Sequence, residues 1–116
     1  TGEWRLPERW LTAPETFDRS TPINLVTTND IIGGNSGSPL VNKDLEVVGL
    51  IFDGNVESLP SAYIYQTEGA RAVSVDVRGM REALDEVYDM DRIVRELMDG
   101  ELVATEQEAD VIGSTP

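Results

Sequence analysis

Apolar positions along the chain change period twice. Between residues 21 and 77 they come in short, dense runs: Ile23, Leu25 and Val26; then Pro39-Leu40-Val41; then Leu45 to Phe52, which carries Val47, Val48, Leu50 and Ile51. Runs of that length rich in β-branched and aliphatic residues predict strands. Lys43-Asp44 lies between the second and third runs and predicts a tight hairpin. From Ala72 to Val77 the valines Val73, Val75 and Val77 alternate, which predicts a half-buried strand with the valines sharing one face.

Residues 78–100 switch to helical spacing. Met80, Leu84 and Val87 recur at steps of four and three, and Ile93, Val94, Leu97 and Met98 continue the pattern beyond Asp89. Asp89 is the expected N-cap and Gly100 the expected stop. Residues 1–20 are rich in Pro, Arg, Glu and Trp with no clear period. They predict an extended arm that packs Trp4 and Trp10. Residues 101–116 predict an acidic, disordered tail. Strands followed by helices, with no βαβ alternation, argue against a doubly wound parallel sheet. The expected fold is mainly β with a C-terminal α segment, a partial antiparallel barrel over residues 21–77 closed by a C-terminal helix.

Composition narrows the chemistry. The chain has 116 residues, about one small domain, of which 40% are hydrophobic. No run of about 18 apolar residues is present, so no membrane span is expected, and no stretch reads as a signal peptide. The opening Thr1-Gly2-Glu3-Trp4 lacks an initiator Met, as expected of a fragment or a processed product. The net charge is −13, from 22 acidic and 9 basic residues, which disfavours binding to a nucleic-acid backbone. Residues 79–116 alone account for −8 of it, read as a solvated helix face and tail. There is no cysteine and no histidine. Disulfides and thiolate chemistry are excluded, and the commonest general base and metal ligand are missing. No cofactor or metal is expected. Asp89 and Asp91 have no third ligand converging with them and read as capping residues.

The candidate chemistry sits in Gly33-Gly34-Asn35-Ser36-Gly37-Ser38-Pro39. A phosphate loop would need a Lys after the second glycine and a following helix; this stretch has neither. A nucleophile elbow would need glycine where Ser38 stands, again before a helix. A plain Gly/Ser turn remains open. So does a turn that aims the amides of Gly34 and Ser36 into one small space beside the Ser36 hydroxyl, an oxyanion hole. Asp53 reads on spacing as a turn residue before Gly54, and Asp30 and Asp76 as turn or cap residues.

Gly-Asn-Ser-Gly-Ser-Pro resembles the active-serine loop of chymotrypsin-fold peptidases. The longer run "TNDIIGGNSGSPLVNKDLEVVGLIFDGNVESL", with "RAVSVDVRGM" after it and "LPERWL" before it, resembles the bacterial dipeptidyl-peptidase 7/11 family of serine exopeptidases over residues 3–99. The resemblance implies a chymotrypsin-like barrel, with Ser36 as nucleophile and Gly34 and Ser36 as oxyanion donors. It implies that Asp53 grips the free N-terminal amine of the substrate. It also implies that Gly54 sets the S1 pocket, where an Arg suits acidic P1 residues and a Gly leaves room for apolar ones. The family's triad His and Asp lie in a large N-terminal part that this sequence lacks. Lys43, the one lysine, belongs to the hairpin and offers no evident dyad.

The expected function is therefore that of a segment carrying the nucleophile of a dipeptidyl aminopeptidase with apolar P1 preference. It would be inactive alone and completed by the missing N-terminal part of the same polypeptide. The expected partners are peptide substrates, with neither nucleic acid nor membrane. The resemblance further implies a periplasmic or secreted protein and a homodimer. The rivals are an endopeptidase of the same fold, which has no use for an amine clamp at Asp53, and a non-catalytic acidic binding module.

Overall fold

Four strands form where β-branched and aliphatic residues are densest: β1 (Asn24–Thr27), β2 (Pro39–Val41), β3 (Val47–Gly54) and β4 (Ala72–Asp76). They belong to a computed structural model that describes residues 2, 4–66 and 68–108. The strands make one sheet in the order β1-β4-β3-β2, with every neighbouring pair antiparallel. β1 and β2 are its edges. The disordered tail expected at the C-terminus falls, from residue 109 on, outside the described residues.

The β2–β3 connection is wider than the tight hairpin predicted. Asn42 organises it: its N–H donates to Glu46 O (2.9 Å), and its Oδ1 accepts the amides of Asp44 (2.9 Å) and Glu46 (3.1 Å). The side chain of Asn42 thus substitutes for ladder hydrogen bonds. Leu45, expected to start the strand, takes φ 66 in the turn and is exposed.

The faces of β4 also differ from expectation. Ala72, Ser74 and Asp76 are its buried side chains, while Val73 and Val75 are only half-buried and Val77 begins a helix. Alternation fixes which residues share a face but not which face is covered. Here the covered side is the one that Ser74 shares with Leu25 and Ile51, its partners across the sheet. A Cβ on Gly49 would lie 2.9 Å from Val75 O and 3.1 Å from Ser74 Cβ, and one on Gly79 would lie 2.7 Å from Pro22 O. The hydroxyls of Ser74 and Ser61 are buried with no hydrogen-bond partner among the described residues.

Helical structure begins directly after β4. α2 (Val77–Glu82) runs into a π-helical turn (Ala83–Val87), and α3 (Asp91–Asp99) follows. The π turn alters the expected cap. Met90 N–H reaches back to Leu84 O (2.9 Å), Asp89 takes φ 51, and Met90, with no side-chain capping bond, precedes α3. Gly100 ends α3 at φ 68, the left-handed conformation glycine adopts freely. A short helix, α1 (Glu8–Leu11), forms within the segment expected to be extended.

The chain divides into two compact units, residues 21–80 and the combination of 1–20 with 81–116. The first holds the sheet. In the second, Trp10 meets Phe17 and Tyr88 edge to face, with centroids 5.9 and 6.2 Å apart, and its Nε1 donates to the Tyr88 hydroxyl (3.1 Å). Glu86 accepts the Thr16 hydroxyl and Glu82 accepts the Asp18 amide (2.6 Å). Trp10 is thus a packing anchor, whereas Trp4 is 92% exposed. Among the described residues no helix is long and apolar enough to cross a membrane.

Candidate active site

The glycine-rich loop enters β2 held by two hydrogen bonds to one strand residue. Gly37 N–H donates to Ile51 O (2.7 Å), and Ile51 N–H donates to Ser38 O (3.0 Å). The loop's start is closed by Asn35, whose Oδ1 accepts Ile32 N–H (2.8 Å) and whose own N–H donates to Ile32 O (3.2 Å); Ser38 N–H returns to Asn35 O (2.9 Å). The amides of Asn35, Gly37 and Ser38 are therefore occupied. Those of Gly33, Gly34 and Ser36 have no hydrogen-bond partner among the described residues. Gly34 takes φ 105 and Gly37 φ 85, conformations that side chains rarely tolerate. Ser36 between them is exposed.

The Ile51 clamp also sets what lies beside the serine. A bulge at Phe52 shifts the β3–β4 register, so that Asp53 pairs with Val73 and Gly54 with Ala72. Bulges re-aim side chains in this way at functional sites. Ser36, Asp53 and Gly54 line one pocket of about 230 Å³, together with Ile31, Ile51, Leu59 and Ser58. That volume is below the roughly 300–1,000 Å³ of pockets for whole drug-sized ligands and suits a side chain. Gly34 is not in the lining. Asp53 Oδ1 accepts the amide of Gly54 (2.8 Å), which leaves Oδ2 without a partner among the described residues.

The pocket lining holds no histidine or lysine, and its one ionisable side chain is Asp53. Lys43 lies in the β2–β3 turn beside Asp44 (3.8 Å), with its side chain 90% exposed. Asp76 is held elsewhere. Its carboxylate, 2% exposed, accepts Arg78 Nε on Oδ1 (3.0 Å) and Arg78 Nη2 on Oδ2 (2.7 Å), and Oδ1 also accepts the Arg78 amide (2.9 Å). These side-chain hydrogen bonds keep its carboxyl below the usual carboxylate range, against the opposing effect of burial, and raise Arg78 in turn. Asp76 thus braces the junction of β4 and α2. No group of three acidic residues able to hold a metal occurs among the described residues.

Two residues escaped the sequence reading. Asn55 donates its N–H to Arg71 O (3.0 Å) and its Nδ2 to Gly69 O (2.7 Å), and accepts Arg71 N–H on Oδ1 (2.8 Å). It pins the segment leaving the pocket. Ser58, in the 3₁₀ helix Val56–Ala62, donates its hydroxyl to Asn55 O (2.7 Å). Asn55 stands inside the "FDGN" run, yet nothing in the sequence shows that its partners lie 14 and 16 residues downstream.

Residues 1–99 match the family model described as Peptidase S46. The chain belongs to the peptidase S46 family. This S46 chain is 39% identical over 87 residues to an Asp/Glu-specific dipeptidyl-peptidase of Shewanella putrefaciens, covering 75% of its own length and 12% of the relative. It is 38% identical over 80 residues to dipeptidyl-peptidase 7 of Capnocytophaga gingivalis, covering 69% of itself and 11% of that protein. Its fold is similar to the crystal structure of Porphyromonas endodontalis DPP11 in complex with the dipeptide Arg-Asp, with TM-score 0.63 and 30% identity over 66% of this chain and 11% of that one. The S46 chain therefore spans about a tenth of the length of these relatives. Its small four-stranded antiparallel sheet with helices is similar to that structure.

Proposed function

We propose that this chain carries the nucleophile of a serine-type dipeptidyl aminopeptidase that releases dipeptides from free N-termini, with apolar P1 preference. The observation that carries the reading is the loop's pattern of amides. Three are tied into the fold, while those of Gly33, Gly34 and Ser36 are not, and the last two, on either side of Asn35, are available to a ligand beside the exposed Ser36 hydroxyl. In this reading Ser36 Oγ attacks the carbonyl carbon after the second substrate residue, and the two amides stabilise the oxyanion. A histidine from another part of the complete polypeptide takes the proton. The chain alone, having no histidine, does not turn over substrate.

Asp53 fits the amine clamp, since it lines the same pocket as Ser36 and keeps one carboxylate oxygen unpartnered. The names of the relatives divide between dipeptidyl-peptidase 7 and Asp/Glu-specific enzymes. The pocket lining favours apolar P1, because it includes Ile31, Ile32, Ile51, Phe52 and Leu59 and neither Lys nor Arg. The same reading makes the sheet part of a chymotrypsin-like barrel in a periplasmic or secreted protein.

The test compares free-amine and N-acetylated substrates on the complete polypeptide and on Asp53→Asn. A charge-assisted hydrogen bond is worth roughly 1.5–3 kcal/mol, so kcat/KM on free-amine substrates should fall about 10–150-fold. Acetylated substrates, poor for the wild type, should change little. Equal losses on both would make Asp53 structural and favour the endopeptidase.

A further inference from the structure

Gly54 is required by space and not by backbone conformation. Its φ lies outside the positive region, but a Cβ built on it would sit 2.3 Å from Ser58 Oγ, 3.3 Å from Ile31 Cδ1 and 3.4 Å from Arg71 O. A 2.3 Å approach is impossible for real atoms, so a side chain at position 54 and the hydroxyl of Ser58 compete for one volume. Gly54, Ser58 and Ile31 all line the pocket.

The surroundings decide how such a conflict is relieved. The segment cannot readily back away, because Asn55 ties it to Gly69 and Arg71 through three hydrogen bonds, and the Ser58 amide also bonds Asn55 O (3.0 Å). Ile31 Cδ1 is the end of a flexible side chain and can yield by a few tenths of an ångström. Ser58 Oγ has one rotor and is already committed to Asn55 O.

We propose that Ser58 is a specificity-determining residue that acts as a pair with Gly54. Its hydroxyl fills the volume a residue at 54 would need, and together they set the size and chemistry of the side chain the pocket accepts. The inference rests on the reading that this pocket receives the P1 side chain. Two consequences follow. A side chain introduced at 54 alone is forced out of place and spoils the pocket. The same side chain is accommodated once Ser58 is cut back to alanine, because Oγ is the one atom closer than 3.0 Å and Ile31 Cδ1, at 3.3 Å, can yield.

The test is a double-mutant cycle in the complete polypeptide: wild type, Gly54→Ala, Ser58→Ala and the double variant, assayed on free-amine dipeptidyl substrates with Leu at P1. Gly54→Ala should lose on the order of tenfold in kcat/KM, and the double variant should return to within about threefold of Ser58→Ala, a clear departure from additivity. A second pair of variants reads specificity. Gly54→Arg combined with Ser58→Ala should raise the Asp/Leu ratio at P1 at least about tenfold further than Gly54→Arg alone, since a guanidinium fork must reach the pocket to bind a carboxylate. An additive cycle, or an Asp/Leu ratio indifferent to Ser58, overturns the proposal. Thermal melting of all variants is followed in parallel. Coupling in Tm without coupling in kcat/KM also overturns it, because the pair would then be structural only. Ser36→Ala in the same assay separates the two layers. If it is inactive while the cycle is additive, the Gly54–Ser58 pair alone fails; if it is fully active, Ser36 is not the nucleophile, the reading of this pocket as the P1 site fails, and the pair's role falls with it.

Discussion

The serine loop and the segment that leaves β3 both depend on glycine, for opposite reasons. At Gly34 the surroundings are empty, with nothing within 4 Å of an added Cβ, but the backbone sits at φ 105. At Gly54 the backbone is ordinary and the space is taken. The first glycine preserves the direction of amides; the second preserves a volume. Damage at Gly34 is therefore a conformational strain that no neighbour can relieve. Damage at Gly54 is a collision that a smaller neighbour removes.

The largest effect should come from the loop itself. Ser36→Ala in the complete polypeptide should lower kcat by about 10⁴ or more, the scale of nucleophile knockouts, with little change in stability because the side chain is small and exposed. Wild-type activity would move the nucleophile elsewhere, with Ser38 the nearest alternative. Gly34→Ala should come next. Misplacing one oxyanion donor costs roughly 10²–10³ in kcat, and Ala in a left-handed conformation adds on the order of 1–2 kcal/mol of strain. Unlike Gly54→Ala, this loss should resist every substitution at neighbouring positions. Rescue by trimming a side chain would erase the distinction between the two glycines.

Asp76 gives the smallest effect on activity and serves as the control for both. Its carboxylate is buried and held by Arg78, and hydrogen bonds to a charged group contribute about 1.5–3 kcal/mol, so Asp76→Asn should cost about 2 kcal/mol in stability at neutral pH. The exposure of Arg78, at 67%, keeps the expected value modest. The pH dependence has a definite sign. The carboxyl of Asp76 is lowered in the folded protein, so its stabilisation is present above the ordinary aspartate range, near pH 4, and is lost as pH falls through the lower folded value. The gap in stability between wild type and Asp76→Asn should narrow in acid, while the P1 preference of the two proteins stays the same. A gap independent of pH would mean that the Arg78 contact contributes nothing.

What the sequence reveals and what it conceals follow physical lines. β2, β3 and the glycine stop after α3 are legible because period, β-branching and turn chemistry are local. The buried face of β4 is not, because Ala72, Ser74 and Asp76 are covered through pairings with residues distant in sequence, while the valines advertise hydrophobicity on the more open side. The displaced cap before α3 comes from a π turn that no propensity signals. For the site, the motif drew attention to Ser36, Asp53 and Gly54, and the fold gathers all three on one pocket. Ser58 stayed hidden because its meaning lies in an atom that Gly54 does not have.

The most direct measurement is covalent. The complete polypeptide would be treated with a fluorophosphonate, which reacts with activated serine hydroxyls, and the labelled peptide located by mass spectrometry. The expected adduct is on Ser36, is absent from Ser36→Ala, and forms in step with loss of dipeptide release from free-amine substrates. An adduct on Ser38 or on any other residue, or inactivation that leaves Ser36 unmodified, would contradict the assignment of Ser36 as the nucleophile.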